Sequence, residues 1–264
     1  MPPIKKIIRD AIDAHQQHHA ANCPVTLSKA RIKAFLHGTS DGGKRVRALD
    51  TDDKEARRQA ILDAAERLFS ERQALANVAD VAEAAGLAKG TVYLYFQTKE
   101  EIYLALHARG VEHFFNALIA RLDDGAPVYF DDVYALNKLH LLDSPTYMPL
   151  GMSCMGFAPN AVPLAAAMQF QTQMTNWLVT AGAGIERRFA NLAPGEGVRL
   201  LKHCYALMSG LYSLRSERNA DDPKCPLIPG MGTYQEEAAL ALTRYWAQVT
   251  GITGITDTTQ TTKV

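Results

Sequence analysis

No apolar run in this 264-residue chain approaches the roughly 18 residues that a membrane-spanning helix needs, so a membrane protein is not expected. Lys5, Lys6 and Arg9 open the chain, but Ile7 and Ile8 are followed at once by Arg9 and Asp10, which argues against a secretory signal. The expected compartment is the cytoplasm, where thiols stay reduced. Cysteine is sparse. Cys23, Cys154, Cys204 and Cys225 lie far apart without a CxxC pair, and read as packing residues rather than a disulfide framework or a zinc site. A P-loop, an HExxH and a GxSxG are all missing, and no base, nucleophile or metal constellation stands at a recognisable spacing, so neither an enzyme nor a cofactor is expected. Among metal candidates, His15, His18 and His19 with Cys23 would share a helical face, but a polar tail accounts for them. No stretch alternates polar and apolar residues as an exposed strand would.

What the sequence does contain is helical pattern and uneven charge. Residues 1–58 hold 12 Lys and Arg against 7 Asp and Glu, whereas residues 59–122 hold 6 against 8, so the positive charge gathers at the front of a chain with zero net charge. Such an arm suits a phosphate backbone, or simply solvent. Residues 1–50 read as a poorly ordered extension, with T39-S-D-G-G43 as a flexible joint. From residue 54 to 72, Ile61, Leu62, Ala65, Leu68 and Phe69 recur at helical spacing. Asn77 and Asp80 suggest the capped start of a short helix that Gly86 stops, with Leu87 as the apolar anchor beyond the cap. A further helix runs from about Ala88 to Phe96. Thr98 and Glu101 then form a T-x-x-E capping box for a long helix reaching about Leu122. The fold class expected is all-α.

A short helix, a glycine-containing turn and a second short helix make a helix-turn-helix, whose second helix can enter the major groove of DNA. Gly90 would let the backbone approach the groove edge. Lys89 can reach a guanine acceptor or a phosphate, Thr91 and Tyr95 offer hydroxyls to phosphate, and Tyr93 can touch bases or the sugar-phosphate edge. Thr98 and Lys99 stand at a helix N-terminus, which favours anions.

The stretch A79-D-V-A-E-A-A-G-L-A-K-G-T-V-Y-L-Y-F-Q-T-K-E-E-I102 resembles the DNA-binding signature of the TetR/AcrR family of bacterial transcriptional regulators, with the specific part covering about Ala56 to Leu106. The resemblance implies base-side contacts from Lys89, Gly90 and Tyr93, phosphate contacts from Asn77, Thr91, Tyr95 and Lys99, and core positions for Val92 and Phe96. It also marks departures. Ala88 stands where relatives usually have Ser, removing a side-chain cap and a phosphate contact. Asn77 takes a place often held by Thr, after a segment one residue shorter than usual. Leu94 replaces His or another polar residue, and can meet a thymine methyl or nothing at all.

The remainder needs another role. Residues 51–100 are expected to read DNA, residues 101–252 to form a larger helical bundle for effector binding and dimerisation, and residues 253–264 to be a polar tail. Met152, Met155, Phe157, Met174, Trp177, Tyr205 and Met208 supply soft, adaptable side chains for an apolar effector pocket. Residues 195–215 carry two apolar stripes, one for the core and one for a partner, so Leu200, Leu207 and Leu211 with Leu242 and Trp246 of a last helix near Tyr234–Val249 are expected at a homodimer interface, the arrangement the resemblance also implies. The function expected is a dimeric, ligand-responsive DNA-binding regulator, more a repressor than an activator, on a pseudo-palindromic operator. Alternatives are an architectural DNA binder without an effector, a helical enzyme, and a metal or redox sensor using Cys154 or Cys204.

Overall fold

The computed structural model describes residues 44–214 and 232–251, with side chains from residue 53 onward. Residues 1–43 of the extension, with its histidine cluster, and the polar tail beyond residue 251 lie outside the described residues, whereas residues 44–50, expected to be poorly ordered, are helical. The chain divides into residues 1–53 and residues 54–264, and apart from the start of the first helix everything described below lies in the second unit. Among the described residues all regular structure is helical, as expected, and no helix is long and apolar enough to cross a membrane.

Helix α1 spans Lys44–Arg72, α2 Val78–Ala84 and α3 Lys89–Val92. The long α4, Lys99–Asp123, follows. Then come α5, Phe130–Asn137, continued by a π-helical turn, Lys138–Leu142, and α6, Tyr147–Met155. Helices α7, Leu164–Arg188, α8, Glu196–Leu214, and α9, Tyr234–Thr250, complete the bundle.

Two hydrophobic cores organise these helices. The first packs Ile61, Leu62, Ala65, Leu68 and Phe69 of α1 against Val78, Val81 and Ala82 of α2 and against Val92 and Phe96. It continues beyond residue 100, through Ile102, Tyr103 and Leu106 of α4 and Leu150 of α6. The expected boundary at residue 100 therefore runs through a packed core, because α4 gives its first turns to one core and its later turns to the other. The second core joins Val111, Phe114, Phe115, Leu118 and Leu122 of α4 to α7, α8 and α9.

The turns follow from local chemistry. Asn77 caps α2, its side chain accepting from the N–H groups of Ala79 at 2.8 Å and Asp80 at 3.0 Å, a contribution of about 1 kcal/mol. Gly86, at φ +68°, closes the helix in a Schellman turn: Leu87 N–H donates to Ala82 O and Gly86 N–H to Glu83 O. Thr98 caps α4 by accepting from Glu101 N–H at 3.0 Å. The expected capping box is half formed, since the Glu101 carboxylate accepts from Gln97 N–H, one residue before the cap.

Candidate DNA-reading surface and effector cavity

Helix α3 is shorter than the expected span to Phe96. Ala88 stands at its N-cap in extended backbone without any side-chain hydrogen bond, so the helix starts uncapped, and after Val92 its ladder tightens, Leu94 N–H donating to Thr91 O and Tyr95 N–H to Val92 O. The scaffold holds it instead. Val92 is fully buried and Phe96 is 3% exposed, with the Arg58 guanidinium 5.4 Å from the Phe96 ring centroid.

Anchoring those two residues turns the rest outward. Lys89, Gly90, Tyr93 and Leu94 are exposed together, Leu94 by 79%. Lys89 Nζ lies 6.0 Å from the Tyr93 ring centroid. Thr91 and Tyr95 are half-buried at the edge of this face. Thr98 and Lys99 are also half-buried, and Lys99 Nζ is 3.9 Å from Glu100. Asn77 is exposed; with Oδ1 committed to the α2 cap, its amide N–H2 is the end left to donate to a phosphate. Gly90 is the telling member. Its φ is not positive, and a Cβ built on it meets nothing within 4 Å. Glycine costs a helix about 1 kcal/mol relative to alanine, and no packing among the described residues requires it there.

Behind this domain lies a cavity of about 570 Å³, within the size range of small-molecule sites. Of the seven side chains expected to form it, Met155, Phe157, Met174, Tyr205 and Met208 line it. Met152 is off the wall. Trp177 stacks on Phe115 at 6.0 Å and borders an adjoining polar cleft with Arg58, Glu101 and Arg109, which shares Leu104 and Phe170 with the cavity. The wall also holds His107, Asn137 and Tyr147, which sequence reasoning passed over, and the two cysteines it weighed for redox sensing, Cys154 and Cys204. His107 is 6% exposed, and burial pushes its imidazole down to about 4, so it is neutral near pH 7. A signal for it existed in the sequence, because Tyr103, His107, Val111, Phe114 and Leu118 form one helical stripe that is buried throughout.

Burial pushes the Cys154 and Cys204 thiols up to about 12, and Cys204 Sγ additionally accepts from Trp246 Nε1–H at 3.2 Å. Thiols held this far from ionisation are poor nucleophiles, which removes the support for redox sensing at either one. Among the described residues no three His, Cys, Asp or Glu side chains converge on a metal-sized site.

The expected dimer contacts need correction. Leu200 is 1% exposed, and Leu242 and Trp246 are 2% exposed, all within the core of the single chain. Trp246 packs between Phe130 and Phe189, each at 5.6 Å. These three side chains leave no surface for a second copy. The cause is the register of α8, whose inner face takes Leu200 and Cys204 from one apolar stripe and Leu201 and Met208 from the other. Leu207 and Leu211 are half-buried.

Comparison with known proteins bears on the first domain. Residues 61–106 match the family model described as bacterial regulatory proteins, tetR family. No curated protein matches the chain. Among solved structures it is similar to SmeT, the repressor of the Stenotrophomonas maltophilia multidrug efflux pump SmeDEF, at 19% identity and a TM-score of 0.48, over 72% of this chain and 89% of that one. It is also similar to Escherichia coli NemR in its reduced form, at 19% identity and a TM-score of 0.46, over 72% of this chain and 95% of that one. From the helix-turn-helix geometry and the matched segment together, residues 61–106 form a DNA-binding domain similar to that of the tetR family of bacterial regulatory proteins, as suits a DNA-binding transcriptional regulator.

Proposed function

We propose that the protein is a ligand-responsive repressor that binds a pseudo-palindromic operator as a homodimer, with α3 as the recognition helix and the cavity as its effector site. The observation that carries this reading is Gly90: an exposed glycine that the fold does not use, beside Lys89 and Tyr93, fits a helix whose backbone must approach something outside the chain. In this reading Lys89, Gly90, Tyr93 and Leu94 meet base edges, while Asn77, Thr91, Tyr95, Thr98 and Lys99 hold phosphates. The cavity supports effector control over a purely architectural role. Its wall includes His107 of α4, eight residues and about 12 Å along the helix from Lys99. A ligand there that prefers one position of α4 would shift the spacing of two recognition helices in a dimer.

The test is fluorescence anisotropy of the purified protein on the intergenic DNA beside its own gene, at two salt concentrations with random DNA as competitor. Specific, salt-sensitive binding is expected; affinity no greater than for random DNA would count against the regulator reading of this operator. Two variants sharpen it. Gly90→Ala should raise the stability of the fold by up to about 1 kcal/mol while weakening operator binding at least about tenfold, opposite signs that a structural glycine would not produce. Lys99→Ala should weaken binding to all sequences alike and reduce the salt slope by about one unit, and an unchanged slope would remove Lys99 from the backbone contacts.

A further inference from the structure

The lining of the cavity narrows the chemistry of what can occupy it. No Asp or Glu stands among its lining residues, and Lys202, on the solvent side of α8, is their one permanently charged side chain. The body of the wall is aromatic and aliphatic, with Phe114, Phe115, Tyr147, Phe170 and Met208 among its members. A cation entering such a site would leave water without gaining a counter-charge, a cost of several kcal/mol.

Against this apolar wall stands one polar corner. The His107 ring lies between Tyr147, centroid to centroid 5.1 Å, and Phe170, at 6.2 Å. Among the described residues Nδ1 is buried without a hydrogen-bond partner, an arrangement that costs stability and calls for an explanation. The Cε1–Nε2 edge faces Gly151 and the region of the Tyr205 hydroxyl: a Cβ on Gly151 would come within 3.0 Å of Cε1 and 3.4 Å of both Nε2 and Tyr205 Oη. Gly151, in the middle of α6, lines the wall beside both groups, and its lack of a side chain makes room for the imidazole edge.

We infer that the cavity takes an uncharged, largely aromatic or aliphatic molecule carrying a single hydroxyl or N–H group, which the His107 ring and the Tyr205 hydroxyl hold at the corner beside Gly151. The inference rests on reading the cavity as the effector site. It names the class of effector: neutral amphiphiles with one polar group are accepted, and cationic aromatic compounds are rejected.

The two tryptophans of the chain report on occupancy, since Trp246 lines the cavity and Trp177 stacks on Phe115 of its wall. Tryptophan emission of the full chain would be titrated with para-phenylphenol, with its methyl ether, and with the biphenyl carrying a trimethylammonium group in place of the hydroxyl. The phenol should bind about tenfold tighter than the ether, the worth of one good hydrogen bond in a buried site, and more than about a hundredfold tighter than the cation. On His107→Phe the gap between phenol and ether should close to about threefold or less. Where that variant does not fold, Tyr205→Phe, which removes one oxygen, reads the same corner and should narrow the gap between phenol and ether to about threefold or less. Equal affinity of phenol and ether on the unaltered protein would overturn the polar corner, and tight binding of the cation would overturn the exclusion of charge. Because no DNA enters the titration, a protein that binds the phenol yet never responds on operator DNA would refute the repressor reading and leave the ligand class standing.

Discussion

Gly197→Ala should destabilise the fold by about 2–3 kcal/mol, seen as a lower urea midpoint at unchanged slope. Helices α7 and α8 meet backbone to backbone at Gly182 and Gly197. A Cβ on Gly197 would fall on the Gly182 carbonyl group, 2.8 Å from its carbon and 2.9 Å from Gly182 Cα; a Cβ on Gly182 would lie 2.7 Å from Val198 N. The obstructing atoms are backbone and cannot rotate aside, so the helices must separate. Alanine is worth about 1 kcal/mol over glycine in a helix, and the overlap outweighs it. Gly210 of the same helix provides the comparison, because a Cβ there meets nothing within 4 Å among the described residues. The damage would also reach the cavity, since Leu201, Cys204, Tyr205 and Met208 of α8 form part of its wall. A Gly197→Ala protein as stable as the parent would mean that the two helices do not cross this closely.

The second large effect is a dependence of stability on pH that one side chain should account for. Burial lowers His107 to about 4, against about 6.5 in an unfolded chain. Between those values the unfolded chain binds a proton that the folded chain refuses. Stability from this group is therefore complete above about pH 6.5 and is lost as the pH falls toward 4, by about 2–3 kcal/mol between pH 7 and pH 4.5. Urea unfolding of the parent and of His107→Phe at those two pH values isolates the contribution. The parent should lose that much more stability on acidification than the variant. An equal loss in both would show that the ring is solvated or paired in solution.

Why was the first domain so much more readable than the second? Its signals are local. Asn77 and Gly86 carry their own turn chemistry in the residue type, and Val92 and Phe96 are separated by one helical turn, so burying both settles that Lys89, Tyr93 and Leu94 point away. The core of the second domain is decided by register between helices distant in sequence. Helix α8 is apolar on two adjoining stripes, and only its packing on α7 and α9 chooses the line between them as the inner face. That choice moved Leu200, and with it Leu242 and Trp246, from an expected interface into the core. Trp177 was drawn to Phe115 of α4 by a stacking partner 62 positions earlier, which no window along the chain contains. His107 was passed over for the opposite reason, since its stripe was visible but a lone histidine in a helix invites no reading of its own. The short α5 and its π-helical turn are held by Val133 and Leu141 in the second core.

Helix α6 carries Leu150, 2% exposed, into the DNA-binding core, while Tyr147 and Met148 of the same two turns belong to the other core. The DNA-binding part is consequently not a portable module. A fragment ended after α4 would retain every residue of the helix-turn-helix and still lack the leucine that closes its interior, a deficit comparable to a buried Leu→Ala change of about 2–5 kcal/mol. Any shuffling of this reading head onto a different sensor, in the laboratory or over evolutionary time, has to bring along a replacement for that one side chain.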